Sequence, residues 1–355
     1  MFGNVRCDSL DRRGIEASPS ALGGWTVSAD VPTLKRVMKI LITGGAGFLG
    51  QRLAGKLLEH HGDEIRVILA DRVASRSFEN DKRVAPVVCD VSSADDVARL
   101  LTPDVGAIFH LAAIVSGQAE AEFDLGMKIN LEATRVVLEA ARRLPTPPKF
   151  VFTSSLAVFG GELPDVVTDD TPVCPQSSYG AQKAIGELLV NEFSRRGFVD
   201  GRVVRLPTIC VRPGKPNRAA SSFVSGIIRE PIKGEPAVCP VGRDLLLWIS
   251  SPATAIENLV HAQLIDGDAF GAHRTANLPG LTVSVGEMID TLARVAGAEV
   301  AARIRFEPDE AVERIVASWP GRFETPRADS LGFKRDRDFE SVIRAFIREA
   351  STGHG

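Results

Sequence analysis

The chain of 355 residues contains one tyrosine, four methionines and three tryptophans. Its five cysteines (Cys7, Cys89, Cys174, Cys210, Cys239) lie far apart and form no CxxC. That argues against a zinc knuckle or a disulfide scaffold and fits a reducing compartment, so a cytoplasmic location is expected. Six histidines show no HExxH or other tight ligand spacing, so no metal is expected. No run of about 18 apolar residues is present, which excludes a helical membrane span. Neither sign of charge dominates: the formal net charge is −3, and nothing argues for a nucleic-acid partner. A 44% hydrophobic and 25% charged composition excludes a disordered or fibrous chain. No self-similarity with a period of about 20–50 residues appears, so a solenoid is not indicated.

Residues 1–37 are rich in Ser, Gly, Asp and Arg, lack the apolar core of a signal peptide, and read as a poorly ordered extension. From Met38 onward, strands and helices alternate. Strands are expected at Ile40–Ile42, Ile65–Ala70, Val84–Cys89, Ala107–Leu111, Phe150–Thr153 and Arg202–Leu206. Helical spacing marks Phe48–Glu59, Asp95–Leu101, a long segment Ala119–Leu144, and Ser178–Arg195. This alternation predicts an α/β fold with a parallel sheet covered on both faces. Beyond Leu206 the rhythm loosens. One more strand, Leu245–Ile249, and a helix from Pro252 to Ile265 are expected before a mixed tail.

The first strand runs into TGGAGFLG. Gly44, Gly47 and Gly50 fit GxxGxxG, at a strand-to-helix turn of the kind that holds a pyrophosphate. Glycine suits such a turn because a Cβ would obstruct the sharp bend and the close approach of the anion. Asp71 ends the second strand, where a carboxylate accepts the ribose hydroxyls of adenosine and repels a 2′-phosphate. This favours NAD over NADP, although the adjacent Arg72 offers a 2′-phosphate a partner. Asp90, at the end of the third strand, is placed either to accept from the adenine amino group or to cap a helix.

The solitary Tyr179 is followed four residues later by Lys183, on one face of a helix. A free phenol titrates near pH 10 and is a poor base at neutrality. A neighbouring ammonium is expected to favour the phenolate and lower that value, giving a general base for an alcohol proton. Ser154 and Ser155 follow the fifth strand, where a hydroxyl can bond the substrate oxygen. Taken alone, such a pair is as readily a turn.

TGGAGFLG, HLAA at 110–113, the TSS after the fifth strand and YGAQK at 179–183 together resemble the extended short-chain dehydrogenase/reductase family over about residues 38–355. The resemblance implies a Rossmann-type doubly wound parallel sheet that binds NAD (38–206 and about 245–276). It also implies a smaller C-terminal substrate-binding lobe (207–244 and 277–355). It implies Ser155, Tyr179 and Lys183 as the catalytic set. Phe48, Leu49, Val91, Leu111, Ala112, Ala113, Asn130 and Pro207 join the glycine turn, Asp71 and Asp90 around the cofactor. Two helices of this family pair across a dimer, so a homodimer is expected.

Leu156 and Ala157 stand where sugar dehydratases carry Asp-Glu, which disfavours elimination. The stretch RLPTICVRPGKPNRAASSF is similar to the uronate dehydrogenases and to relatives that oxidise C2 of a four-carbon aldonate. The resemblance thus implies a small acidic sugar substrate. Arg212 and Arg218 lie in the loop after the sixth strand; by analogy Arg218 would clamp the carboxylate, unless either arginine is a solvated loop charge or binds a cofactor phosphate, and Ser116 would bond another hydroxyl. A nucleotide-sugar epimerase and a non-catalytic NAD-binding module are the competing readings.

Overall fold

The computed structural model describes residues 37–75 and 77–351. The expectation for residues 1–37 therefore falls, Val37 apart, outside the described residues. The strands are β1 (Met38–Thr43), β2 (Ile65–Asp71), β3 (Val84–Val88), β4 (Val105–His110), β5 (Lys149–Ser155) and β6 (Asp200–Leu206). The later ones are β7 (Thr208–Ile209), β8 (Ala237–Cys239), β9 (Leu246–Ser250), β10 (Thr275–Asn277), β11 (Leu281–Ser284) and β12 (Ile304–Phe306). Seven of them form one sheet in the order β10-β6-β5-β4-β1-β2-β3, with every pairing parallel. From β1 the chain order runs outward in both directions, to β2 on one side and β4 on the other. Ligand crevices form at such a switch point, beyond the strands' carboxyl ends.

Successive strand residues point to opposite faces, so the central strands are apolar on both. Ile40 and Ile42 of β1 pack with Leu53 and Leu57 of α1 (Phe48–His61) and with Leu259. Leu41 faces the other way, toward Val97 of α2 (Ala94–Leu100), Val137 and Phe150.

The expected long helix at 119–144 is not continuous. It divides into α3 (Ser116–Ala121), α4 (Phe123–Gly126), a π-helical stretch Met127–Glu132 and α5 (Ala133–Ala141). Apolar spacing alone cannot reveal a widened turn, and such turns gather at functional sites. α6 (Ser178–Arg195) is unbroken and begins at Ser177, whose hydroxyl accepts from the Gly180 N–H at 3.2 Å. Gly180 lets this helix sit close: a Cβ there would lie 2.1 Å from the Ala157 carbonyl oxygen.

The expected sheet-domain segment 245–276 splits between two sheets. β9 pairs antiparallel with β11 and parallel with β7 in a separate three-stranded sheet. Only β10, at the segment's end and running on to Asn277, joins the large sheet. α7 (Ser222–Ile232) contributes Val224 and Ile227 to the core beneath the small sheet, with Leu247, Met288 and Ile343. α8 (Pro252–Leu264) leaves β9 through a Ser251 cap and packs Leu259 into the core of the large sheet. An apolar run such as LLWIS states that a strand is buried, not which sheet receives it.

Candidate active site

The turn between β1 and α1 is built on close backbone approach. Gly44 has φ +71°, and a Cβ there would come within 2.8 Å of the Ala112 nitrogen. A Cβ on Gly50 would meet the Gly44 carbonyl oxygen at 2.4 Å. Gly47 caps α1 with no side chain, so the first-turn N–H groups have no side-chain acceptor. Free N–H groups at a helix N-terminus suit an anion, so this turn fits the pyrophosphate of a dinucleotide. Asp71 Oδ2 accepts from the Ala46 N–H at 3.1 Å and so holds the turn to the end of β2.

A cleft of about 380 Å³ opens at the carboxyl ends of the strands. The structure brings Gly44, Gly47, Phe48, Leu49 and Gly50 onto its wall. Leu111, Ala113, Ser116 and Pro207 line it too, together with Ser155, Tyr179 and Lys183. Asp71, Asp90, Val91, Ala112 and Asn130 lie off this wall. Asp90 accepts from the Ser92 N–H and hydroxyl at 2.9 and 2.6 Å, while α2 is capped by Ser93 instead. The Ser116 hydroxyl accepts from the Ala220 N–H at 3.2 Å, which ties the start of α3 to the segment before α7.

Lys183 is 2% exposed. Its Nζ donates to the Thr153 carbonyl at 2.8 Å and lies 4.7 Å from the Phe152 ring centroid. Burial lowers its pKa to about 8, opposed by the Glu187 carboxylate one helical turn further on. The expectation that Lys183 lowers the phenol is not met in this structure. Burial pushes Tyr179 up to about 12, and only hydrogen bonding from Ser155 pulls it down. The ammonium stands 5.8 Å from the phenol's ring centroid and is turned to Thr153.

Sequence reasoning missed what holds this group in place. Glu187 and Arg205 form a buried ion pair at 2.7 Å. The Ser154 hydroxyl donates to the same carboxylate at 2.5 Å. Glu187 continues the four-residue spacing of Tyr179 and Lys183, which was the available signal. Asn130, in the π-helical stretch, accepts from the Ile114 N–H at 2.7 Å and donates to its carbonyl at 3.0 Å. Its amide also donates to Gln182 Oε1 at 2.7 Å, which ties the loop after β4 to α6. His110 is fully buried between Thr43 and Thr134, and burial drives its pKa down to about 3, so it is neutral.

Arg218, expected to clamp the substrate, stands outside the cleft. Its guanidinium pairs with Glu122, and it lines a different surface hollow with Gly117 and Ala121. The spacing after β6 could not show that an acidic residue on the far side of α3 would take this arginine. Arg212, six residues earlier, is on the cleft wall instead.

The NAD dependent epimerase/dehydratase family model matches residues 40–250. The chain is 53% identical to a D-erythronate dehydrogenase of Cupriavidus necator, over 88% of this chain and 99% of that protein. It is 51% identical to a D-erythronate dehydrogenase of Haemophilus influenzae, over 87% and 99% of the two chains. A solved structure described as a nucleoside-diphosphate-sugar epimerase from Agrobacterium tumefaciens superposes with a TM-score of 0.84. It is 42% identical and covers 89% of this chain and 95% of its own. With the glycine turn, the parallel sheet and the matched segment agreeing, the chain belongs to the NAD dependent epimerase/dehydratase family.

Proposed function

We propose that this protein oxidises the C2 hydroxyl of D-erythronate to the 2-keto acid, using NAD. The reading is carried by the near full-length identity to two D-erythronate dehydrogenases, and the residues of the cleft fit it. Bound NAD supplies the acceptor for the two electrons that leave C2. The residues from Gly44 to Gly50 would hold its pyrophosphate, and Asp71 its adenosine ribose. Tyr179, as the phenolate, takes the hydroxyl proton and becomes the phenol, Ser155 bonds the same substrate oxygen, and the Lys183 ammonium, with the positive charge of the oxidised nicotinamide, favours the phenolate before that transfer. Leu156 and Ala157, directly after Ser155, offer no acid or base for elimination.

The decisive assay mixes the protein with NAD and D-erythronate and follows the absorbance of reduced nicotinamide. Steady NADH formation is expected, with lower kcat/KM on hexuronates. Tyr179→Phe should lower kcat by about 100- to 10,000-fold, the usual contribution of a positioned base, while NAD binding is kept. Absence of NADH on every four-carbon aldonate, together with epimerisation of a nucleotide sugar, would overturn the reading.

We also read the protein as a cytoplasmic homodimer. The location rests on the dispersed cysteines; Cys89, Cys174, Cys210 and Cys239 are free thiols. Dimerisation rests on the apolar residues that α6 and α4 leave in solvent: Leu188 (71% exposed), Ile185 (41%) and Phe123 (57%).

A further inference from the structure

A small hydroxy acid brings a carboxylate into a cleft that must neutralise it. Among the described residues the cleft wall carries two cations, Lys183 and Arg212, and no carboxylate. Lys183 is committed to Thr153 and is backed by Glu187. Among the described residues Arg212 has no acidic partner, and its one side-chain bond there is a long one, from Nη2 to Asn217 Oδ1 at 3.3 Å. The neighbouring guanidinium of Arg229 is paired with Glu230 and gives Arg212 no counter-charge. A half-buried guanidinium has five donors to satisfy, and one long bond leaves most of them free.

The base of this side chain is fixed. The Arg212 N–H donates to Ser225 Oγ at 3.0 Å, and its carbonyl accepts from Arg229 Nη1 at 2.8 Å. Trp319 belongs to the same wall and has a buried indole N–H with no partner among the described residues. Unpaired donors on a wall without carboxylates suit a planar anion, which a guanidinium fork grips through two parallel bonds.

We propose that Arg212, rather than Arg218, anchors the substrate's carboxylate. This rests on the aldonate reading above and assigns the end of the substrate that does not react. Arg218 already has Glu122 as its partner, whereas Arg212 has no acidic partner among the described residues.

The test compares wild type with Arg212→Met and Arg212→Lys, using D-erythronate and its C1 amide. In Arg212→Met, kcat/KM for the acid should fall about 100-fold, mainly through KM, as when one member of a desolvated charge pair is removed. Affinity for NAD should be unchanged, which also shows that the variant folds. Arg212→Lys should recover part of the loss, since an ammonium keeps the charge without the fork. The amide should be a poor substrate of wild type and should distinguish little between wild type and Arg212→Met. Equal losses on acid and amide, or NAD affinity falling in step with activity, would overturn the assignment.

Calorimetric titration of the protein–NAD complex with tartronate separates the two claims without turnover. If wild type ignores D-erythronate but binds tartronate through Arg212, the anchor stands and the substrate reading falls. If D-erythronate is oxidised and Arg212→Met leaves both its KM and tartronate binding intact, the anchor alone falls.

Discussion

Lys183, in the role proposed for it, sets function against stability. An ammonium 2% exposed is held charged only by a carbonyl and a carboxylate one turn away. Its pKa near 8 lies below the ordinary lysine value of 10.5. The unfolded chain therefore binds more protons between those values, and the Lys183 contribution to stability rises with pH from about 8 to about 10.5. Below pH 8 the buried charge weighs fully against folding. Tyr179 acts in the opposite sense: with its pKa near 12 against 10, its contribution falls as pH rises between those values. Lys183→Met should thus melt higher than wild type at pH 7 while losing activity, and the gain should vanish near pH 10.5. Thermal denaturation at the two pH values checks this; a gain independent of pH would show that packing, not charge, is responsible. The sequence carried the identity of these groups, because a Tyr and a Lys four apart must share a helical face. It did not carry their electrostatics, which depend on how deeply α6 is buried against β5. Nor did it carry the fate of Arg218, which was settled by an acid nearly a hundred residues earlier in the chain.

At the level of elements, the ends of β5 and β6 and the middle of α6 are joined through one carboxylate. Glu187 binds Arg205 of β6 through both oxygens, at 2.9 and 2.7 Å, and also takes the Ser154 hydroxyl. Glu187→Gln would leave the Arg205 guanidinium buried with only a 3.3 Å bond to Asn277 as further side-chain support. Losing one partner of such a pair costs about 3–5 kcal/mol, readable as a shift in the urea unfolding midpoint. A loss under about 1 kcal/mol would mean that water reaches Arg205. The bounds of α6 were legible to the residue because Ser177 caps its start. The segment after β4 was not: its apolar spacing suits one long helix, while the structure breaks it so that Asn130 can hold Ile114.

For the whole molecule, the parallel sheet was readable because each of its strands from β1 to β6 is an apolar run, most of them followed by a helix. The second lobe was not, because its strands are short and join partners far away in sequence: β7 and β11 both meet at β9. The proposed association rests on the apolar residues that α6 leaves in solvent. Leu188→Lys should convert a dimer to a monomer in light scattering and leave the NAD turn unaffected. A wild-type protein that is already monomeric would remove the dimer from the proposal.

Tyr179, Lys183 and Glu187 climb α6 at intervals of four, with Asn130 reaching Gln182 between them. In the proposed mechanism the reaction is therefore encoded as a count as much as a set of side chains. Deleting or inserting one residue anywhere from 180 to 186 would turn one part of the ladder by about 100° relative to the other. The proposed base and its cation, or the cation and its support, would then face different sides of the helix.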